Sequence, residues 1–150
     1  MPATSIPPTP QQLAEQVRDV MWAGDHATRM LGMVITEVGP GRAVIQMTVR
    51  HDMLNGHATC HGGLITTLAD STFAFASNSY NELTVASGFT VDLLAPGRLG
   101  DVLTATGTEV SKAGRTGVYD IEVHNQRGER IAVFRGRSHT MRGKPVIAPA

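Results

Sequence analysis

The sequence predicts an α+β domain in which an antiparallel sheet wraps one long buried helix. Three observations carry that expectation. After residue 32 the apolar residues change from helical spacing to alternation. Six alternating runs follow, most of them separated by glycine or proline turn signals. Between the second and third runs, Leu64 to Ala76 is apolar at many angles around a helix, so most of its sides should be buried.

The elements follow in order. Four prolines mark residues 1–10 as a disordered tail, and residues 142–150 are expected to be another. The domain proper is residues 11–141. Thr9-Pro10-Gln11-Gln12 opens a helix running to about Trp22, with an apolar stripe of Leu13, Val17, Val20 and Met21. Asp25 can cap a second short helix that Gly32 stops. Residues 33–38 and 43–49 read as a hairpin about Gly39-Pro40-Gly41. A polar loop precedes the long helix, which should end near Tyr80-Asn81. Strands are expected over 84–94, 101–112, 116–125 and 129–140. Consecutive strands with short turns make an antiparallel sheet.

Composition narrows the function. The chain has 150 residues, enough for one core, with 13 basic and 13 acidic residues. Zero formal charge argues against nucleic acid as the main partner, because neutralising phosphates needs a basic excess. No apolar run reaches membrane-spanning length. Cys60 is the only cysteine, so no intrachain disulfide forms. Residues 1–8 lack the layout of a signal peptide. A soluble cytoplasmic protein is expected.

The polar loop carries the chemistry. Asn55-Gly56-His57-Ala58-Thr59-Cys60-His61-Gly62-Gly63 runs into the apolar helix, and that helix holds one carboxylate, Asp70. An unpaired buried charge costs several kcal/mol, on the order of a domain's whole stability. Asp70 is therefore either paired or turned toward a cleft that uses it.

Asn55, then His61-Gly62-Gly63, then Asp70 seven residues on, resembles the PaaI branch of the hotdog acyl-CoA thioesterases. The resemblance continues through Phe75-Ala76-Ser77-Asn78-Ser79, Gly114 to Asp120 and Val133 to His139, and covers residues 11–141. It implies the hotdog fold and hydrolysis of phenylacetyl-CoA or its ring-hydroxylated relatives. It also implies a homodimer with shared active sites, as a dimer of dimers. Coenzyme A is then part of the substrate, and no separate cofactor is expected.

The residue types suit that chemistry. A thioester carbonyl gains negative charge on attack, and its carbon needs an oxygen nucleophile. Gly62 and Gly63 open a helix, where backbone N–H groups are free and the dipole favours anions. Asn55 can donate a further bond or fix a water. Asp70 would be the nucleophile or the general base; the sequence leaves both open. Two helical turns, about 10 Å, separate Asp70 from Gly63. One chain cannot bring both to one carbonyl, but antiparallel helices across a dimer can. The resemblance adds a Ser or Thr beside the carboxylate, matched here to Thr90. Arg115, Lys112, Arg135 and Arg137 are the candidates for holding coenzyme A phosphates.

Plainer readings stand beside these. Asp70 could be a paired structural carboxylate. His61 could hold the loop, and positioning suits it better than proton transfer. Asn55 could be a turn residue. His51, His57, Cys60 and His61 lack the sharp spacing of a zinc site, so no metal is expected. Phe73, Phe75 and Tyr80 are core by default. Trp22 and Met21 pack a helix face, though the N-terminal helices could close an acyl pocket. Two rival functions fit the sequence less well. A hotdog enoyl-CoA hydratase sets its His five residues from its Asp, whereas His61 precedes Asp70 by nine. A non-catalytic acyl-CoA-binding module would be expected to have lost Asp70.

Overall fold

The computed structural model describes residues 6–149. Six antiparallel strands form one sheet: β1 (Val34–Gly39), β2 (Arg42–Thr48), β3 (Thr84–Leu93), β4 (Val102–Ala113), β5 (Thr116–His124) and β6 (Arg130–Thr140). Their order across the sheet is β1-β2-β4-β5-β6-β3, so β1 and β3 are its edges. Helix α1 (Pro10–Gly24) lies on β1, and α2 (His26–Met30) meets the long helix α3 (Gly62–Ser77). Residues 1–5, part of the expected N-terminal tail, lie outside the described residues.

Each element has a local cause. In α1, Thr9 Oγ1 accepts from the Gln12 N–H at 3.2 Å, while Gln12 Oε1 accepts from the Thr9 N–H at 2.9 Å. This reciprocal cap precedes Pro10 at the first helical position. The buried face is Ala14 and Val17, and Val20 is exposed. The expected stripe is thus rotated toward Ala14. Gln11 Nε2, which donates to the Val38 carbonyl at 2.7 Å, ties this helix to β1. The hairpin turns at Gly41, whose φ of 67° is left-handed.

Helix α3 lies across β2, β4 and β5. Phe73 is its main anchor, with its ring centroid 5.5 Å from Tyr119 and 5.9 Å from Phe134. Gly136 makes the room: a Cβ there would fall 2.9 Å from two atoms of the Phe73 ring. The helix stops at Ser77, short of the expected Tyr80, because buried Asn78 clamps it. Asn78 Nδ2 donates to the Ala74 and Thr84 carbonyls, and its Oδ1 accepts from the Thr84 N–H. Register shifts in β1, β3, β4 and β6 mark bulges that curve the sheet. The result is the hotdog fold.

The wrapping is incomplete. Gly63, Thr67, Asp70 and Ala74 form a stripe of α3 that the chain leaves partly or fully open. Edge strand β3 is also uncovered, with Val85, Phe89 and Leu93 at 47%, 41% and 52% exposure. Residues 142–149, expected as a tail, return to the body of the fold. The Leu83 N–H donates to the Lys144 carbonyl at 2.8 Å, and the Ile147 N–H to Asn81 Oδ1 at 2.8 Å. No described helix is long and apolar enough to cross a membrane.

Candidate active site

The loop before α3 is built around the Asn55 side chain. Its Oδ1 accepts from the His57 N–H at 2.9 Å, and from the Thr59 N–H and hydroxyl at 3.3 Å each. Two backbone bonds close the same turn: Asn55 N–H to the Thr59 carbonyl and Ala58 N–H to the Asn55 carbonyl. Ala58 adopts a left-handed φ of 59° inside it. With the carbonyl end of Asn55 committed to the loop, its Nδ2 is left with two donors and no partner among the described residues.

At the helix start the two glycines differ. The Gly63 N–H donates to His61 Nδ1 at 3.2 Å, and the Leu64 N–H donates to the His61 carbonyl at 2.9 Å. The Gly62 N–H has no acceptor among the described residues. The expectation of two free glycine amides is therefore corrected to one. His61 uses its side chain to satisfy Gly63, as a helix N-cap does. A Cβ at Gly62 would stand 2.5 Å from Leu93 Cδ1, so any side chain there requires the half-exposed Leu93 to move.

Asn55 and Gly62 line one cleft of about 340 Å³, walled by Ile65, Leu93, Leu94 and Pro96. A polar donor, a free amide at a helix N-terminus and apolar walls suit a carbonyl whose oxygen becomes anionic. Cys60 reaches the same cleft. It is buried, burial pushes its thiol up, and among the described residues no side-chain base hydrogen-bonds it, so it is a poor nucleophile.

Asp70 lies eight residues along α3 from Gly62, about 12 Å at 1.5 Å per residue. The two do not meet within the chain. Asp70 is half-buried and has no hydrogen bond or ion pair among the described residues. Burial raises its carboxyl above the ordinary range, and the negative charge of Asp25 adds to this. Asp25, the residue before α2, is the neighbour that sequence reasoning saw only as a cap.

Thr90 is not brought to Asp70 within the chain. It lies opposite Arg135 across β3 and β6, and Arg135 lies opposite Asp120 on β5. Phe134, next to Arg135, faces Phe73 on α3. Alternation therefore puts Thr90, Arg135 and Asp120 on the sheet face turned away from the helix.

The four basic candidates divide into two pairs. Arg135 grips Asp120 through two bonds of 2.6 and 2.7 Å. Lys112 donates to Glu82 at 3.3 Å and sits 4.6 Å from the centre of the Tyr80 ring. Arg115 and Arg137 are exposed and have no acidic partner among the described residues. No group of three His, Cys, Asp or Glu among the described residues is placed to hold a metal ion.

Comparison with known proteins agrees with this geometry. The sequence model of the thioesterase superfamily matches residues 57–132. The acyl-coenzyme A thioesterase PaaI of Escherichia coli K12 is 46% identical over 130 residues, covering 87% of this chain and 93% of the relative. The structure of the E. coli PaaI protein, from the phenylacetic acid degradation operon, superposes with a TM-score of 0.89. That match has 44% identity and covers 91% of this chain and 99% of the other. A Streptococcus mutans protein solved bound to acetyl CoA has a TM-score of 0.71 and 27% identity, over 73% of this chain and 88% of its own. The chain belongs to the thioesterase superfamily and is a thioester hydrolase of the hotdog fold.

Proposed function

We propose that this enzyme hydrolyses acyl-CoA thioesters, phenylacetyl-CoA and its ring-hydroxylated relatives foremost, to the free acid and coenzyme A. One observation carries the reading. A free Gly62 N–H and a free Asn55 amide share a cleft with Ile65, Leu93, Leu94 and Pro96, and an uncommitted carboxylate lies on the open stripe of the helix that begins there. The substrate class is supported by the E. coli relative from a phenylacetic acid degradation operon and by the S. mutans relative with acetyl CoA.

The reaction needs two chains. Antiparallel packing of α3 on its copy would cover Gly63, Thr67, Asp70 and Ala74 and set Asp70 of one subunit against Gly62 of the other. The exposed apolar edge of β3 would be covered in the same association. The thioester oxygen then accepts from the Gly62 N–H and from Asn55 Nδ2. Asp70 of the partner subunit takes a proton from water as the oxygen attacks the carbonyl carbon. The C–S bond breaks, and the thiolate leaves with the proton from Asp70. Direct attack by the carboxylate gives the same products through an anhydride that water then opens. A raised carboxyl makes Asp70 both the better proton acceptor and the better nucleophile, so it serves either route. His61 holds the loop through Gly63. Arg115 and Arg137, being unpaired, are the better phosphate ligands of the four basic candidates. None of these steps uses a metal.

The test is a panel of aryl and alkyl acyl-CoA esters, with released thiol trapped by a dye. The reading expects arylacetyl esters to be hydrolysed fastest. Fast turnover confined to long alkyl chains would overturn the acyl assignment, and no thiol release from any ester would overturn the substrate class.

A further inference from the structure

Asp25 stands before the five-residue helix α2, far from Asp70 in sequence. Its Oδ1 accepts from the Thr28 N–H at 3.0 Å, and its Oδ2 accepts from the Thr28 hydroxyl at 2.7 Å. Thr28 has one hydroxyl proton, and Asp25 receives it. The 2.8 Å contact between Thr28 and Ser71 must then run from the Ser71 hydroxyl to Thr28 Oγ1. A one-way chain results, Ser71 to Thr28 to Asp25, ending on a carboxylate. Thr28 is 1% and Ser71 9% exposed, so water competes little with it. Ser71 is the next residue to Asp70 on α3.

We propose that Asp25 is a positioning residue of the thioesterase site: through Thr28 and Ser71 it locks the turn of α3 that carries Asp70, and it sets a second carboxylate beside the first. The inference rests on the reading of Asp70 as the reacting carboxylate. Its physical consequence is a more basic Asp70, because two nearby like charges disfavour joint ionisation. Other charges do not cancel this. Asp70 is the only charged residue of α3. On α2, His26 and Arg29 are exposed, and Arg29 is turned back to the Ala23 carbonyl at 3.3 Å. Arg50, which donates to the Met30 carbonyl, is paired with Asp52. The sheet positions that face α3 are uncharged apart from Glu109 and Lys112. Both sit with Tyr80 beyond the C-terminal end of the helix.

The test replaces Asp25→Asn, which keeps an acceptor for the Thr28 N–H, turns the oxygen that takes the Thr28 hydroxyl proton into a donor, and removes the charge. Two readouts are taken: the carbon NMR titration of labelled Asp70, and the pH profile of kcat/KM. The proposal expects the Asp70 titration and the acid limb of the profile to move together to lower pH. An unmoved titration overturns the proposal whatever the activity does. A moved titration with an unmoved acid limb overturns Asp70 as the reacting group, and so separates the two failures. Thr28→Val keeps both charges and cuts the chain. It should lower kcat severalfold with KM unchanged, and an unchanged kcat overturns the positioning role.

Discussion

Replacing Gly62 with proline deletes one N–H at the position where the backbone tolerates proline best. Gly62 is the first residue of α3, where proline's fixed φ suits a helix and no intrahelical bond is lost. His61 before it has φ −58° and ψ 129°, the extended shape that a residue preceding proline adopts. The cost is steric. A Cβ at Gly62 lies 2.5 Å from Leu93 Cδ1, against an ordinary carbon contact of about 3.5–4.0 Å. Leu93 is half-exposed and can swing aside for about 0.5–1.5 kcal/mol of rotamer strain. Gly62→Ala carries the same Cβ and keeps the N–H, so it measures the steric share alone. Loss of one oxyanion donor costs about 100- to 1,000-fold in kcat. We expect Gly62→Pro to fall below Gly62→Ala by that factor, with melting temperatures of the two variants within a few degrees. The assay is thiol release from phenylacetyl-CoA at saturating substrate. Equal kcat for the two variants would refute the assignment of the Gly62 amide as the oxyanion donor.

Other expectations follow from the same geometry. Asp70→Asn should nearly abolish turnover while substrate binding persists; a tenth of wild-type activity or more would overturn the role. The same variant should melt higher than wild type at pH 7. A raised carboxyl pKa means the folded state holds the Asp70 proton more tightly than the unfolded chain. Its ionisation therefore destabilises the fold as pH rises from the ordinary carboxylate range through the raised value, and the gap in melting temperature should close in acid. Arg115→Ala should raise KM for the coenzyme A ester, spare a short thioester without the nucleotide and leave kcat nearly unchanged. Arg135→Ala should change KM less, because Asp120 already holds that guanidinium. Chelation and dialysis should leave full activity, and activity restored only by added zinc would contradict the metal-free route.

Much of the fold was legible because it rests on local signals. Alternating apolar residues and turn residues such as Gly39-Pro40-Gly41 mark all six strands to within a residue or two. The buried helix could be read from its all-round apolarity. Its end was misjudged because buried Asn78 bonds forward to Thr84, a contact no periodicity reveals. Val20 was misplaced because α1 covers a single edge strand, so small Ala14 suffices on its inner face. The site was legible as a motif but not as geometry. Which glycine keeps a free amide depends on the rotamer of His61. Thr90 follows a register shift between Ala86 and Gly88, and such a bulge changes which residues face the helix. Asp25 gave only a capping signal, since its link to Asp70 passes through packing of α2 on α3.

Mixed dimers test the shared site most directly. Asp70→Asn protein supplies an intact Gly62, and Gly62→Pro protein supplies an intact Asp70. If each site draws on both chains, a heterodimer regains one of its two sites. A one-to-one exchanged mixture should then recover about a quarter of wild-type activity, since about half of its two-fold dimers are heterodimers. Each variant alone should remain near background. Verified heterodimers with no activity above the two parents would contradict the account and place the whole reaction within one chain.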